Sequence, residues 1–406
     1  MVIAAPPEIP GKYDIIPIHT SDVASFLRCR RYWSWSSPAR NNLRTRADVS
    51  GINPNLWFGT GIHYALEKFY HPVLRRDPVE AWQTWFKYQW DGGVVTEELL
   101  EHTYDNNPHP VGAAPGEHLY QVRGLRDILP QYDEEEYMQY RDLGTNMMEF
   151  YKQYVPNHDD FQVVATESTY SVPLGFTSID LREESPNYGK QLEVHARGKR
   201  DAICYRERTD SFFVTDHKTA AVIGPEYFDK IDTDPQVSNY IWASREEAIL
   251  NDLPWKRINE CLYQALRKAA PMPPTMLQSG LPSVSRTTES TTAVLFQDFI
   301  VRNNLQVWFD DNDKAQSYYN YLVECGDENF IQRRTTYRSK TFLDNVGKNL
   351  RMIAEEMLDN DIKIYPRFTG EIACVRCAFR APCIAVEDGA DAEFILDNNY
   401  EPNRGR

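Results

Sequence analysis

Asp216, His217 and Lys218 stand in a β-prone run, 211–220, and Asp201 ends or lies within the run before it, fifteen residues upstream. In a strand, residues two apart point to the same face, so Asp216 and Lys218 share one side. If the two runs pair as a hairpin through 208–211, both carboxylates project from one end of the sheet. Two carboxylates at close range repel unless a cation lies between them. Carboxylate oxygens hold hard cations such as Mg²⁺ and Mn²⁺. Such an ion lowers the pKa of a bound water and polarises a phosphoryl oxygen, and a neighbouring lysine orients water or steadies developing charge. That grouping suits phosphodiester hydrolysis. Asp-x-Lys alone is equally the pattern of a solvated strand end.

A second grouping is made of thiols. Cys374, Cys377 and Cys383 fall within ten residues, one short of a tetrahedral set. Cys29, in the segment FLRCRRYW, offers a fourth. Clustering of this kind favours metal over disulfide, and the spacing admits structural Zn²⁺ and a [4Fe–4S] cluster alike. Cys204, Cys261 and Cys325 read as ordinary buried thiols.

These residues need elements to position them. Thr20 or Ser21 can cap a short helix through Arg28. Residues 56–70 read as a helix entered through glycines, with His63, Glu67 and Tyr70 on one side. Residues 79–90 form an aromatic-faced helix, 91–118 an irregular insertion or mobile loop, and 133–154 a long helix. Runs 161–174, 191–207 and 211–220 are strands, followed by a helix over 234–250. Residues 254–270 are ambiguous: Ile258, Cys261, Leu262, Ala265, Leu266 and Ala269 fit a helical period, and a strand is also open. Residues 1–19 and 271–292 read as irregular, 312–325 and 340–360 as helical, and the acidic tail as fraying.

With 406 residues, 42% hydrophobic and 25% charged, the chain has a globular balance and room for a large core. No apolar run approaches a membrane span. The start, Met1 to Pro10, shows no secretory leader, so a cytoplasmic setting with reduced thiols is expected. A net charge of −15 opposes indiscriminate coating of nucleic acid, but local basic patches stand out against it. From Val23 to Ala47 there is no acid and there are six arginines, Arg28, Arg30 and Arg31 among them, interleaved with Tyr32, Trp33 and Trp35. A second patch holds Arg333, Arg334, Arg338 and Lys340. Arginines attract phosphates and aromatics stack on unpaired bases, so both patches are candidate single-strand tracks.

GKRD at 198–201 followed by DHKT at 216–219 resembles the core of the RecB-like branch of PD-(D/E)XK nucleases. Gly59-Thr60-Gly61-Ile62-His63 with Glu67 matches that family's G-x-x-x-H-x-x-x-E setting, and Gln236 to Tyr240 its Q-x-x-x-Y helix, all in family order. The resemblance implies a restriction-endonuclease-like α/β core, a small mixed sheet flanked by helices, with helical insertions. It implies His63, Asp201 and Asp216 as ligands of Mg²⁺ or Mn²⁺, the backbone carbonyl of His217 as a further ligand, and Lys218 as catalytic lysine. Gln236 and Tyr240 then touch the substrate strand, and Glu67 buttresses the helix. It also places 258–268 in a strand, against the helical period. One early and three late cysteines resemble the iron–sulfur branch, the AddB-type subunits and CRISPR-associated Cas-four nucleases. This favours a [4Fe–4S] staple on Cys29, Cys374, Cys377 and Cys383, with Zn²⁺ as the alternative. The layout, from SDVASFLRC through FGTGIH and CLYQALRKAAP to Arg338-Ser339, is similar to phage-encoded exonucleases of that type.

The expected organisation is an N-terminal arm (1–55), a helical region with the motif histidine (56–160, insertion 91–132), the nuclease core (161–270), a loop and helical region with the basic patch (271–365), and the cysteine end (366–406). The expected function is a metal-dependent exonuclease acting on DNA ends, single strands foremost, in recombination, repair or phage genome processing. The chain has no P-loop, so unwinding falls to a partner such as a helicase. The rivals are an inactive DNA-binding or assembly protein of the same fold, a structure-specific endonuclease and a zinc-ribbon processing factor.

Overall fold

The computed structural model describes residues 10–11, 13–37, 39–45, 53–100, 109–111, 118–128, 134–182, 185–287, 290–359, 361–362, 365–368, 370 and 374–402. Arg46 and parts of the expected insertion (101–108, 112–117, 129–132) lie outside them. The chain opens with β1 (Ile15–Ile18), α1 (Thr20–Arg28), α2 (Arg30–Ser36) and β2 (Leu43–Thr45). Next come α3 (Pro54–Tyr70), α4 (Pro78–Asp91), β3 (Gly92–Thr96), α5 (Glu97–Leu100), β4 (His109–Val111), β5 (Leu119–Arg123), α6 (Leu125–Ile128) and α7 (Glu134–His158). The central part is β6 (Gln162–Ile179), β7 (Gln191–Arg206), β8 (Ser211–Ala220), α8 (Pro225–Asp229), α9 (Pro235–Leu250) and β9 (Glu260–Arg267). Then follow α10 (Ala293–Arg302), α11 (Gln306–Asp310), α12 (Asp313–Cys325), β10 (Ile331–Tyr337), α13 (Lys340–Met357), α14 (Arg380–Glu387), α15 (Ala392–Asn399) and β11 (Tyr400–Pro402).

The main sheet is mixed. β6 runs antiparallel to β7. The first half of β7 pairs in parallel with β1 and its second half antiparallel with β8. β8 lies parallel to β9, and β9 antiparallel to β10. The β7–β8 turn passes through Asp210 at φ +47°, a left-handed position that aspartate tolerates. One apolar cluster joins Ile203 and Val214 to Val237 and Ile241 of α9 and to Leu343 and Leu350 of α13. Another joins Cys204, Phe213 and Leu262 to the aromatic faces of α3, α4 and α7. The sheet is thus sandwiched between helices, the arrangement that buries two apolar faces at once.

Three local features set α3 in place. Asn53 caps it, its Oδ1 accepting from the N–H groups of Asn55 (3.0 Å) and Leu56 (3.4 Å), and Pro54 occupies the first turn. Its glycines therefore do not open the helix; they let it approach its neighbours. A Cβ on Gly61 would meet Trp85 at 2.4 Å and Trp82 at 2.5 Å, and one on Gly59 would sit 3.1 Å from Thr219 Oγ1 at the end of β8. Trp57, Phe58 and Ile62 are fully buried, each contributing about 1.5–3 kcal/mol by the area it removes from water.

Residues 260–267, open between helix and strand on their own pattern, are strand, as the resemblance implies: β9 is central, its residues buried up to Leu266, and a strand buried on both faces carries no alternation to read. Several expectations need correction. The expected irregular insertion contains a three-stranded sheet, β3–β5–β4. The first nineteen residues contain β1, paired with β7. The tail does not fray where described, because β11 pairs with β2 and Tyr400 donates to the Ala378 carbonyl at 2.6 Å. Among the described residues no helix is long and apolar enough to cross a membrane.

Candidate active site

The β7–β8 ladder runs from Arg206–Ser211 to Ala202–Thr215 and stops there. One residue further on each strand stand Asp201 and Asp216. The N–H of His217, freed from the ladder, donates to Asp201 Oδ2 at 2.6 Å. Lys218 Nζ donates to Asp216 Oδ1 at 2.8 Å, as same-face positions allow. The close packing of Gly59 and Gly61 brings α3 down so that His63 Nδ1 lies 3.6 Å from Asp201 Oδ2. At the first turn of α9, Asp234 accepts from the Gln236 N–H at 2.8 Å. Gln236 Nε2 in turn donates to the Tyr240 hydroxyl, one helical turn on, at 2.7 Å. His63, Asp201, Lys218, Gln236 and Tyr240 line one cleft of about 610 Å³, and Glu67 lies on its wall, ion-paired to Lys68.

The charges at this site are unbalanced. Asp216 is fully buried and, among the described residues, its Oδ2 has no hydrogen-bond partner. Burial, with the Asp201 carboxylate nearby, pushes Asp216 up to about 6 despite Lys218. Burial also works to raise Asp201, but His63, His217 and Lys218 hold it well below the usual carboxylate range. Burial opposes the charge of His63, yet Asp201 outweighs it and the imidazole is raised. Lys218 is likewise raised against burial by Asp216 and Asp201. A buried carboxylate oxygen with nothing to accept from is costly, and a hard cation is the partner that acids and an imidazole in this arrangement accommodate.

Sequence reasoning missed Glu167. It sits in β6 at φ +45°, a left-handed conformation uncommon for glutamate. Its carboxylate pairs with Lys199 at 2.7 Å, and ligand atoms of His63, Glu167 and Asp201 lie within 4.8 Å of one another. Burial and Asp201 raise its pKa. Its only mark in the sequence is a carboxylate amid an otherwise uncharged β-prone run.

His217 points to the opposite face. Its ring stacks on Tyr70, centroids 5.9 Å apart, and its Nδ1 meets Gln264 Nε2 at 2.9 Å. Burial drives its pKa down to about 3, so the ring is neutral. The same network continues: Arg333 Nε donates to Gln264 Oε1 at 2.6 Å and pairs with Asp159 at 2.7 Å.

The expected basic tracks are therefore corrected in part. Arg333 is committed to this interior network. Arg338, 2% exposed, donates to Ser238 Oγ at 3.0 Å and the Ile231 carbonyl at 2.7 Å. Arg31 is buried and paired with Glu387 at 2.6 Å, and Arg30 pairs with Glu356 at 2.5 Å. Arg28, over the Tyr32 ring, and Arg334 remain exposed.

Away from this cleft, Cys29, Cys374, Cys377 and Cys383 line one cavity of about 250 Å³. Cys29 Sγ accepts from the N–H groups of Tyr32 (3.4 Å) and Phe368 (3.3 Å). Arg31 donates to Cys383 Sγ at 3.5 Å. Burial raises the Cys377 thiol, and the other three thiols raise it further.

A comparison with curated proteins found no match. The model of one family does match, and it spans residues 20–384, from the first turn of α1 through α3 and the central sheet to just past Cys383. On that extent, and with acids, histidine and lysine gathered at one break in the sheet, this chain belongs to the PD-(D/E)XK nuclease superfamily.

Proposed function

We propose that the protein is a metal-dependent DNA exonuclease that hydrolyses phosphodiester bonds at the ends of single strands. The observation that carries the reading is the buried Oδ2 of Asp216, unpartnered among the described residues, beside the Asp201–His63 pair, with Lys218 on the same face. His63, Asp201, Asp216 and the carbonyl of His217 would hold Mg²⁺ or Mn²⁺, with Glu167 close enough to join them. When bound, the ion polarises the phosphoryl oxygen and makes water a stronger nucleophile at neutral pH. Lys218, held by Asp216, orients the attacking water and offsets charge gathering on the phosphoryl oxygens. Gln236 and Tyr240 present an ordered hydroxyl–amide pair to the strand near the bond being cut. Of the proposed tracks, Arg28 and Arg334 stay free to meet phosphates.

The four cysteines would hold a [4Fe–4S] cluster that staples the N-terminal arm to the C-terminal segment, in support of the site rather than in its chemistry. The four thiols line one cavity of about 250 Å³, which supports a shared cluster. Anaerobic purification should give brown, iron-containing protein; colourless protein with zinc and no iron overturns this assignment. Use in recombination or phage genome processing follows from the sequence resemblance, and a helicase partner from the lack of a P-loop in this sequence.

The test of the main reading is an assay on end-labelled strands with Mn²⁺ or Mg²⁺, comparing wild type with Asp216→Ala. Wild type should shorten linear strands from an end and spare a circular single strand, and the variant should do neither. Nicking of the circle converts the reading to an endonuclease. Equal cleavage by both proteins removes the site.

A further inference from the structure

Three lysines line the cleft among the described residues: Lys199, Lys218 and Lys268. Two are neutralised in place, Lys199 by Glu167 and Lys218 by Asp216. Among the described residues Lys268 has no carboxylate against it. Its Nζ donates to two neutral acceptors on Asn55, the backbone carbonyl (3.0 Å) and Oδ1 (2.9 Å). Burial alone lowers its pKa, with no acid contributing. In a chain with 59 acids and 44 bases, a half-buried ammonium that no acid has claimed is out of balance with its surroundings.

Its place in the fold gives that charge a purpose. Lys268 follows the last residue of β9, and its N–H donates to the carbonyl of Ala220 at 2.8 Å. Ala220 lies two residues beyond Lys218 on β8, about 6.6 Å along the strand. The ammonium, 5.7 Å from the centre of the Phe58 ring, thus lies in the same cleft as the catalytic lysine, past it along β8 and on the α3-facing wall. The wall continues into the first turn of α3, where Leu56 is 71% exposed and lines the cleft with Asn53 and Asn55. A cation beside a bare apolar side chain matches the two halves of a nucleotide, phosphate and base.

We infer that Lys268 and Leu56 form a nucleotide subsite, in which Lys268 holds a backbone phosphate next to the one being hydrolysed and Leu56 packs against the adjoining base. This rests on the nuclease reading and goes beyond it, because it assigns where the uncut part of the strand is gripped. The experiment measures binding of a labelled single-stranded oligonucleotide by anisotropy in Ca²⁺ across a salt series. Asp216→Asn serves as background so that no strand is cut, and end-labelled cleavage by wild type is run in parallel. Adding Lys268→Ala should weaken binding about tenfold and flatten the slope of log K against log salt by about 0.7, the share of one phosphate on a single strand. Lys268→Arg should restore both, and Leu56→Ala should weaken binding with the slope unchanged. If the alanine variant does not fold, Lys268→Gln, which keeps a donor toward Asn55, replaces it. Unchanged affinity and slope in the Lys268 variants, with wild type cleaving normally, overturns the subsite. Absence of cleavage by wild type instead overturns the nuclease reading, whatever the Lys268 variants do.

Discussion

The two faces of β8 obey opposite rules. On one, Asp216 keeps a buried Oδ2 with no hydrogen-bond partner among the described residues, while Lys218 donates to its other oxygen, Oδ1. On the other, His217 is stacked, neutral and tied through Gln264 to Arg333, Tyr151 and Asp159. A buried polar network that is fully bonded is rigid, and one that is partly bonded is costly. The back face fixes the strand that the front face leaves short of a partner, so the deficit at Asp216 persists instead of relaxing into a new hydrogen bond. Pre-organisation of this kind lets a site hold its geometry before a ligand arrives.

The contrast predicts that front-face changes remove activity and spare the fold, whereas back-face changes do the reverse. Asp216→Ala should lower cleavage by about a thousandfold, roughly 4 kcal/mol, with chemical denaturation unchanged or improved because an unsatisfied group is gone; a marked loss of stability breaks the comparison. Arg333→Met leaves the half-buried Asp159 without its cation, though still bonded to the Tyr70 hydroxyl, and should cost up to about 3 kcal/mol in denaturant unfolding, the low end for a broken buried pair, while residual folded protein still cleaves. Glu167→Gln should raise the metal concentration needed for half-maximal cleavage about tenfold, in the range for groups that tune a metal site, and a null result there confines the side-chain ligands to His63, Asp201 and Asp216.

The pH profile sharpens the same point. Asp216 must be ionised to hold a cation, and burial places its pKa at about 6. Metal affinity should therefore be level above pH 6 as far as this group is concerned and fall by up to about tenfold per unit below it, as protons compete. Titration calorimetry with Mn²⁺ across pH 5–8 measures it. The smallest effect is expected at Arg334, exposed on β10. Arg334→Glu should weaken strand binding only a few-fold and reduce its salt dependence, as one surface cation would.

What the sequence made legible follows from how local each signal is. Asp216 and Lys218 stand two apart on one strand, and Gln236 and Tyr240 one helical turn apart, so each pair carries its own geometry; Asp201 and Asp216 lie inside β7 and β8, where the pairing of the two strands stops, rather than at strand ends. Glu167 was not legible, because a left-handed glutamate inside a strand leaves no mark of the kind that glycine or asparagine leaves. Arg333 was misassigned to a surface because its neighbours Arg334, Arg338 and Lys340 form a charge cluster. Had 331–337 been read as a strand, the alternation would have sent Arg333 and Arg334 to opposite faces. β9 was ambiguous for a different reason: burial on both sides erased the pattern that distinguishes strand from helix.

The contact between Arg31 and Cys383 has a consequence in time. A ribosome adding about 5–20 residues per second needs on the order of 20–70 s to cover the 352 positions between them. Phe26 and Trp33 can already pack on the central sheet and α9 in that interval, but Cys29 waits for the three late thiols. Any ion or cluster that all four thiols share is therefore fitted late in the life of the nascent chain.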